Sequence, residues 1–131
     1  MWDIGLPVTS DDGTLTEEHY LTKMSHLTVE AAANLGRPIN QTDQYKEMFV
    51  KAGFDDVYQQ MFKWPSNQWP KDKKYKTLGL WNLANIDSGL EGLTLFLFTR
   101  GLGMTKEECL LYCSEARKEI RDPKIHAYWP M

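Results

Sequence analysis

Val57 to Trp81 reads VYQQMFKWPSNQWPKDKKYKTLGLW, and the rest of the chain falls into place around this stretch. Val57, Met61 and Lys63 alternate with Tyr58, Phe62 and Trp64 in a run rich in aromatic residues, which predicts a strand over 57–64. Pro65 ends that strand, because proline cannot donate to a ladder. Pro65, Ser66, Asn67 and Pro70 then make 65–72 a loop, with Trp64 and Trp69 belonging to the turn. After Asp72 the spacing becomes helical, with Tyr75, Leu78 and Trp81 on one face and Leu80 and Leu83 on an adjoining one.

Outward from this stretch, Trp2 to Val8 is a short apolar run that predicts a strand entering the polar turn Thr9 to Gly13. Thr14 and Glu17 have capping-box spacing, so a helix is expected to follow, with its stripe on Tyr20, Met24, Leu27, Ala31 and Leu35 and its stop at Gly36. A shorter helix is expected over 42–52, closed by Gly53. From Lys73 to Arg100 the pattern is helical, with a break expected near Gly89 because Ser88, Gly89 and Gly92 interrupt it, giving two helices. Thr105 and Glu108 make a second capping box opening a helix to about Ile120, which Asp122-Pro123 ends. Lys124 to Trp129 reads as a last strand, with Ile125, Ala127 and Trp129 on one face and His126 and Tyr128 on the other. The expectation is a single α/β domain over 1–131 with about three strands and about five helices.

A net charge of −3 with interspersed signs gives no electrostatic footprint for nucleic acid or an anionic membrane. The longest apolar run, around Leu93 to Phe98, is far short of the ~20 residues that span a bilayer. No signal segment is visible at the N-terminus, so a cytoplasmic location is expected. Cys109 and Cys113 share one helical face in poor geometry for a mutual bridge, and read as buried free thiols with no metal site. Five Trp can fill a core, cover an interface or line a pocket for a flat ligand.

Four phrases carry a further signal: SDDGTL at Ser10 to Leu15, AGFDDV at Ala52 to Val57, WPKDKKYKTLGLWN at Trp69 to Asn82, and KIHAY at Lys124 to Tyr128. In this order they resemble the C-terminal half of fungal class I S-adenosylmethionine-dependent methyltransferases of secondary metabolism. The resemblance implies a truncated Rossmann-like fold in which Trp2 to Val8, Val57 to Trp64 and Ile125 to Trp129 match the fifth, sixth and seventh strands of the family's sheet. The family's glycine-rich cofactor loop after a first strand has no counterpart, and Gly101-Leu102-Gly103 lies between helices. No cofactor is therefore expected on this chain, and methyl transfer by it alone is not expected. The strand at Trp2 to Val8 would lack its neighbour on one side, and an open edge is a template for pairing, in a homodimer or with another protein.

Two functions follow from this reading. One is a cofactor-independent enzyme of cyclase or isomerase type acting on a small-molecule natural product. In it, His19 and His26, seven apart on one helix, would carry the acid and base steps. Trp64, Trp69, Tyr75 and Trp81 would wall the pocket, with Asn82 and Asn85 as polar handles. The other is a non-catalytic partner or regulatory subunit of a full-length methyltransferase, which needs an exposed apolar face instead.

Overall fold

The computed structural model describes residue 1 and residues 3–131. Helix α1 (Tyr20–Asn34) is followed by a 3-10 turn (Thr42–Gln44) and α2 (Tyr45–Lys51). Strand β1 (Lys63–Pro65), the long α3 (Lys73–Gly101), α4 (Lys106–Arg121) and β2 (Tyr128–Pro130) complete the chain. The fold is thus mixed helix with a small antiparallel sheet, in which Trp64 faces Trp129 across the ladder. Helices α1, α3 and α4 pack together and enclose the core, which holds Leu21, Met24, Ala31, Leu90, Phe98, Cys109, Cys113, Ala116 and Ile120. On α4 the buried residues Cys109, Cys113, Ala116 and Ile120 form one stripe, and the Thr105–Glu108 capping box is present as expected. Both cysteines are buried and free, and burial pushes the Cys109 thiol pKa up.

Several elements differ from expectation for identifiable reasons. Thr14 does not cap a helix: its hydroxyl donates to Asp12 and accepts from the His126 N–H, so α1 starts only at Tyr20. The N–H groups of Tyr20 and Leu21 at that start are held instead by the two carboxylate oxygens of Glu119 on α4, at 3.0 and 2.7 Å. The expected strand over 57–64 shrinks to Lys63–Pro65, and most side chains ahead of it face solvent; Tyr58 is 81% and Met61 62% exposed. Pro65 lies inside the strand rather than ending it. Ser66 and Phe62 donate across to Ala127 and Met131, so the donor that proline lacks falls on the outer edge. The outward carbonyl of Pro65 accepts from Asn82 on α3.

Of the expected first strand, Trp2 lies outside the described residues, and the remainder makes only a bridge at Thr9 with Tyr128 plus a Gly5 N–H bond to Pro130. Pro7 offers no donor, and the Val8 N–H is taken by the Ser25 hydroxyl of α1, so no ladder builds here. The last strand is likewise shorter, Tyr128–Pro130, although Ile125, Ala127 and Trp129 do face the core.

The expected break near Gly89 is absent, and α3 runs unbroken through 29 residues. Gly89 and Gly92 lie on its open side, while its other sides are braced by α1, α4 and β1. Two other glycines decide how close α3 can come. A Cβ at Gly79 would sit 1.9 Å from the Asn67 carbonyl oxygen, and one at Gly101 would sit 2.5 Å from that of Ala31. Gly79→Ala is expected to destabilise by about 1–3 kcal/mol or more through forced backbone movement. Gly92→Ala, in open space, should stabilise by ~0.5–1 kcal/mol. Thermal unfolding of the two variants tests this, and equal midpoints would show that α3 does not depend on the close approach.

Candidate functional site

Three of the four phrases singled out in the sequence meet at one place. Asp12 sits in the loop before α1, and its carboxylate accepts from the Ser10 hydroxyl, the Thr14 N–H and the Thr14 hydroxyl, while its second oxygen meets the His126 Nδ1. The His126 ring stacks on Trp69 with centroids 4.9 Å apart, and Trp69 Nε1 donates to the Ala127 carbonyl at 2.9 Å. Next to them Asp11 accepts from the Tyr128 hydroxyl at 2.7 Å and pairs with Lys63, whose ammonium also lies over the Tyr128 ring. Asn67, buried behind this group, donates to the Ile120 and Asp122 carbonyls at the end of α4. The cluster is a clasp joining residues 9–14, the loop after β1 and the terminal ribbon.

Hydrogen bonding sets its electrostatics. The His126 contact, then those of Thr14 and Ser10, hold the Asp12 carboxyl far below the usual carboxylate range. Lys63 and Tyr128 lower Asp11, and Asp11 in turn raises Lys63. Burial, with Asp11 second, raises Tyr128.

The predicted site residues divide between different surroundings. Trp64 is half-buried on β1, Trp69 belongs to the clasp, and Asn82 is buried with its amide on Pro65; these three hold the fold. His19 immediately precedes α1 and its side chain turns away from the helix, with Nδ1 accepting from the Thr16 N–H at 3.0 Å, and His26 is exposed with Nε2 3.8 Å from the Glu17 carboxylate. His26 lines a small cavity of about 190 Å³ with Thr16, Glu17 and Thr22, and His19 does not line it. A wider cleft of about 630 Å³ elsewhere contains none of the predicted residues.

Trp81 and Asn85 share the outer side of α3, whereas Tyr75, near its start, is turned roughly 120° around the helix from Trp81. Trp81 is 70% exposed, and it lies in one helical stripe with Asn85, Ser88, Gly92 and Phe96, the last 64% exposed. Leu93 flanks this stripe. Between Lys76 and Arg100 the helix has only two charged residues, Asp87 and Glu91, and both turn to α4. There Arg121 pairs with Asp87 at 2.6 Å and Arg117 with Glu91 at 2.7 Å. The outer face is therefore uncharged over that length, with Asn85 and Ser88 as polar positions between Trp81 and Phe96. Phe96 and Leu93 were not among the predicted site residues, although the spacing 81, 85, 88, 92, 96 carries the signal.

This is a small helical module with a short antiparallel ribbon, compatible with part of an α/β methyltransferase. The comparisons agree. Over all 131 residues the chain is 35% identical to a probable methyltransferase, tdiE, of Emericella nidulans, covering 41% of that protein. It is 34% identical over 118 residues to the methyltransferase pytC of Aspergillus terreus, which is 90% of this chain and 36% of the other. It is 30% identical over 127 residues to a secondary metabolism regulator of Cochliobolus heterostrophus, which is 96% of this chain and 41% of that protein. No protein-family model and no solved structure matches the chain. The chain is a homologue of fungal methyltransferases and regulators of secondary metabolism, and spans about two fifths of the length of these curated relatives. No described helix is long and apolar enough to cross a membrane.

The clasp has a pH signature. Because the folded Asp12 carboxyl lies below its unfolded value of about 3.9, its stabilising contribution is present above that value and is lost as pH falls toward the folded one. Asp12→Asn should lower the urea midpoint at pH 7, and its difference from the parent chain should shrink steadily below about pH 4. A difference that stays constant with pH would remove Asp12 as the group responsible.

Proposed function

We propose that this chain is the substrate-side portion of a methyltransferase-type unit of fungal secondary metabolism, docking the outer face of α3 against a cofactor-binding portion so that the two enclose the acceptor. The supporting observation is the uncharged face itself. Trp81 and Phe96 stand more than three-fifths exposed in the middle of a braced, rigid helix, where a solvent face carries charge instead. More than half of each relative's length lies outside the matched segment, which supplies room for the complementary portion. Trp81 and Tyr75 then wall the composite site, and Asn85 supplies a polar handle, as the sequence reading had them.

A self-contained cyclase or isomerase fits the geometry less well, because such an enzyme needs His19 and His26 at one cavity, and the small cavity that His26 lines does not include His19. The edge at Ile4 to Val8 is the second seat for a partner, in a homodimer or a complex. It is the weaker one: Pro7 has no N–H, and the N–H groups of Ile4 and Val8 bond to Asp3 and Ser25 side chains.

A chimera in which this chain replaces the matching segment of the Emericella relative tests the proposal. In the isolated chain Trp81→Asp should be neutral or slightly stabilising, since the ring is exposed. In the chimera the same change should cost roughly 2–3 kcal/mol, the loss of a buried large apolar side chain, and weaken binding of the methyl donor. Equal effects of Trp81→Asp and Phe96→Asp in both settings would show that nothing covers this face.

A further inference from the structure

A different surface, independent of α3, is the wide cleft between α2 and the approach to β1. Its walls are Tyr45 and Phe49 from α2 and Phe54, Val57, Met61 and Phe62 from the segment beyond it. Phe49 and Phe54 pack edge to face at 5.4 Å, which fixes one wall. None of the residues of α2 is buried in the core, so this helix spends its aromatic side on the cleft. The volume of about 630 Å³ falls in the range of small-molecule sites, roughly 300–1,000 Å³.

Polar groups interrupt these walls, Gln59 and Gln60 among them, and Gln59 is bonded to the Thr42 carbonyl. Tyr45 donates its hydroxyl proton to Asp3 Oδ2 at 2.6 Å, and Asp3 Oδ1 accepts from the Ile4 N–H at 2.8 Å. Tyr45 has a single hydroxyl proton, and it is spent on Asp3. The pair therefore faces the cleft with lone pairs only, on the phenolic oxygen and on the carboxylate. A group seated here must bring the proton. Lys46 and Asp55 also line the cleft, and Thr42 closes the end near Gly5.

We infer that this cleft binds a flat, mainly apolar small molecule carrying a hydroxyl group, its ring between the Phe49 and Met61 walls and its O–H donated to the Tyr45–Asp3 pair. The hydrogen bond from a neutral hydroxyl to a carboxylate is among the stronger kinds, so the hydroxyl should count for a large share of the selectivity. The carboxylate of Asp3 raises the pKa of Tyr45, which keeps the phenol protonated and the pair in its accepting arrangement through neutral pH.

The probes are 2-naphthol and its methyl ether, 2-methoxynaphthalene, which share shape and differ in the proton. Binding to the full chain is read by calorimetry and by saturation-transfer NMR. The naphthol should bind at least tenfold tighter than the ether, and Phe49→Ala should weaken both by at least threefold. Asp3→Ala should bring the two within twofold of each other, with the thermal midpoint as the check on folding. Where Asp3→Ala unfolds the chain, Asp3→Asn serves, since it keeps the size of the side chain and replaces the charged acceptor by a weaker, neutral one. Equal binding of the two probes by the parent chain, no binding of either up to millimolar concentration, or a preference that survives in the variants would overturn the inference.

Discussion

Two adjacent carboxylates, Asp11 and Asp12, hold the beginning of the chain against its last strand. A two-stranded ribbon is marginal in water by itself, and β1 with β2 is no more than that. What makes it durable is that β2 is gripped from both sides. Its inward partner is β1, and on the other side Thr9 and Gly5 bond to Tyr128 and Pro130. Asp12 on His126 and Asp11 on Tyr128 keep that second side in place, across sequence separations of 114 and 117 residues. Exposed ion pairs contribute little singly. Here they act together with the Trp69–His126 stack and the buried Asn67 amide, which binds the end of α4 to the same place.

With the ribbon fixed, α3 has a firm base. Gly79 lets it press on the loop after β1, and Gly101 lets its far end press on α1. Between those points Leu90, Thr94 and Phe98 face the core while Asp87 and Glu91 engage α4. A helix held on three sides does not bend to bury its fourth, so the Trp81–Phe96 stripe remains presented to whatever lies outside. Rigidity in the base thus becomes a functional property of the exposed face.

The elements legible in the sequence were those whose signals are local. The Thr105–Glu108 box opened its helix, Gly36 and Gly53 adopt the left-handed φ of helix stops, and Ile125, Ala127 and Trp129 face inward as alternation implied. Misreadings arose where a distant partner took a local group. Thr14 was claimed by Asp12 and His126, so its capping spacing with Glu17 went unused, and Glu119 from α4 did the capping instead. The glycines of α3 suggested a kink because nothing local shows that three neighbours brace the helix. The family phrases were visible, but their physical role was not: Asp12, Trp69, Asn82 and His126 hold the fold, and the candidate site retains Tyr75 and Trp81 from the phrases, with Asn85 just beyond them. Of the predicted eight, Trp64, Trp69 and Asn82 turned inward to hold the ribbon, a role that aromatic content alone cannot distinguish from lining a pocket.

The exposed stripe on α3 is where fold and function meet, and side-chain burial there can be read directly. Hydroxyl-radical footprinting compares the isolated chain with the chimera built on the Emericella relative. Trp81 and Phe96 should oxidise rapidly in the isolated chain and become protected in the chimera, while Tyr58, exposed on another surface, stays the common reference. Unchanged oxidation of Trp81 and Phe96, with protection appearing instead along residues 4–8, would contradict docking through α3 and return the sheet edge as the seat of the partner.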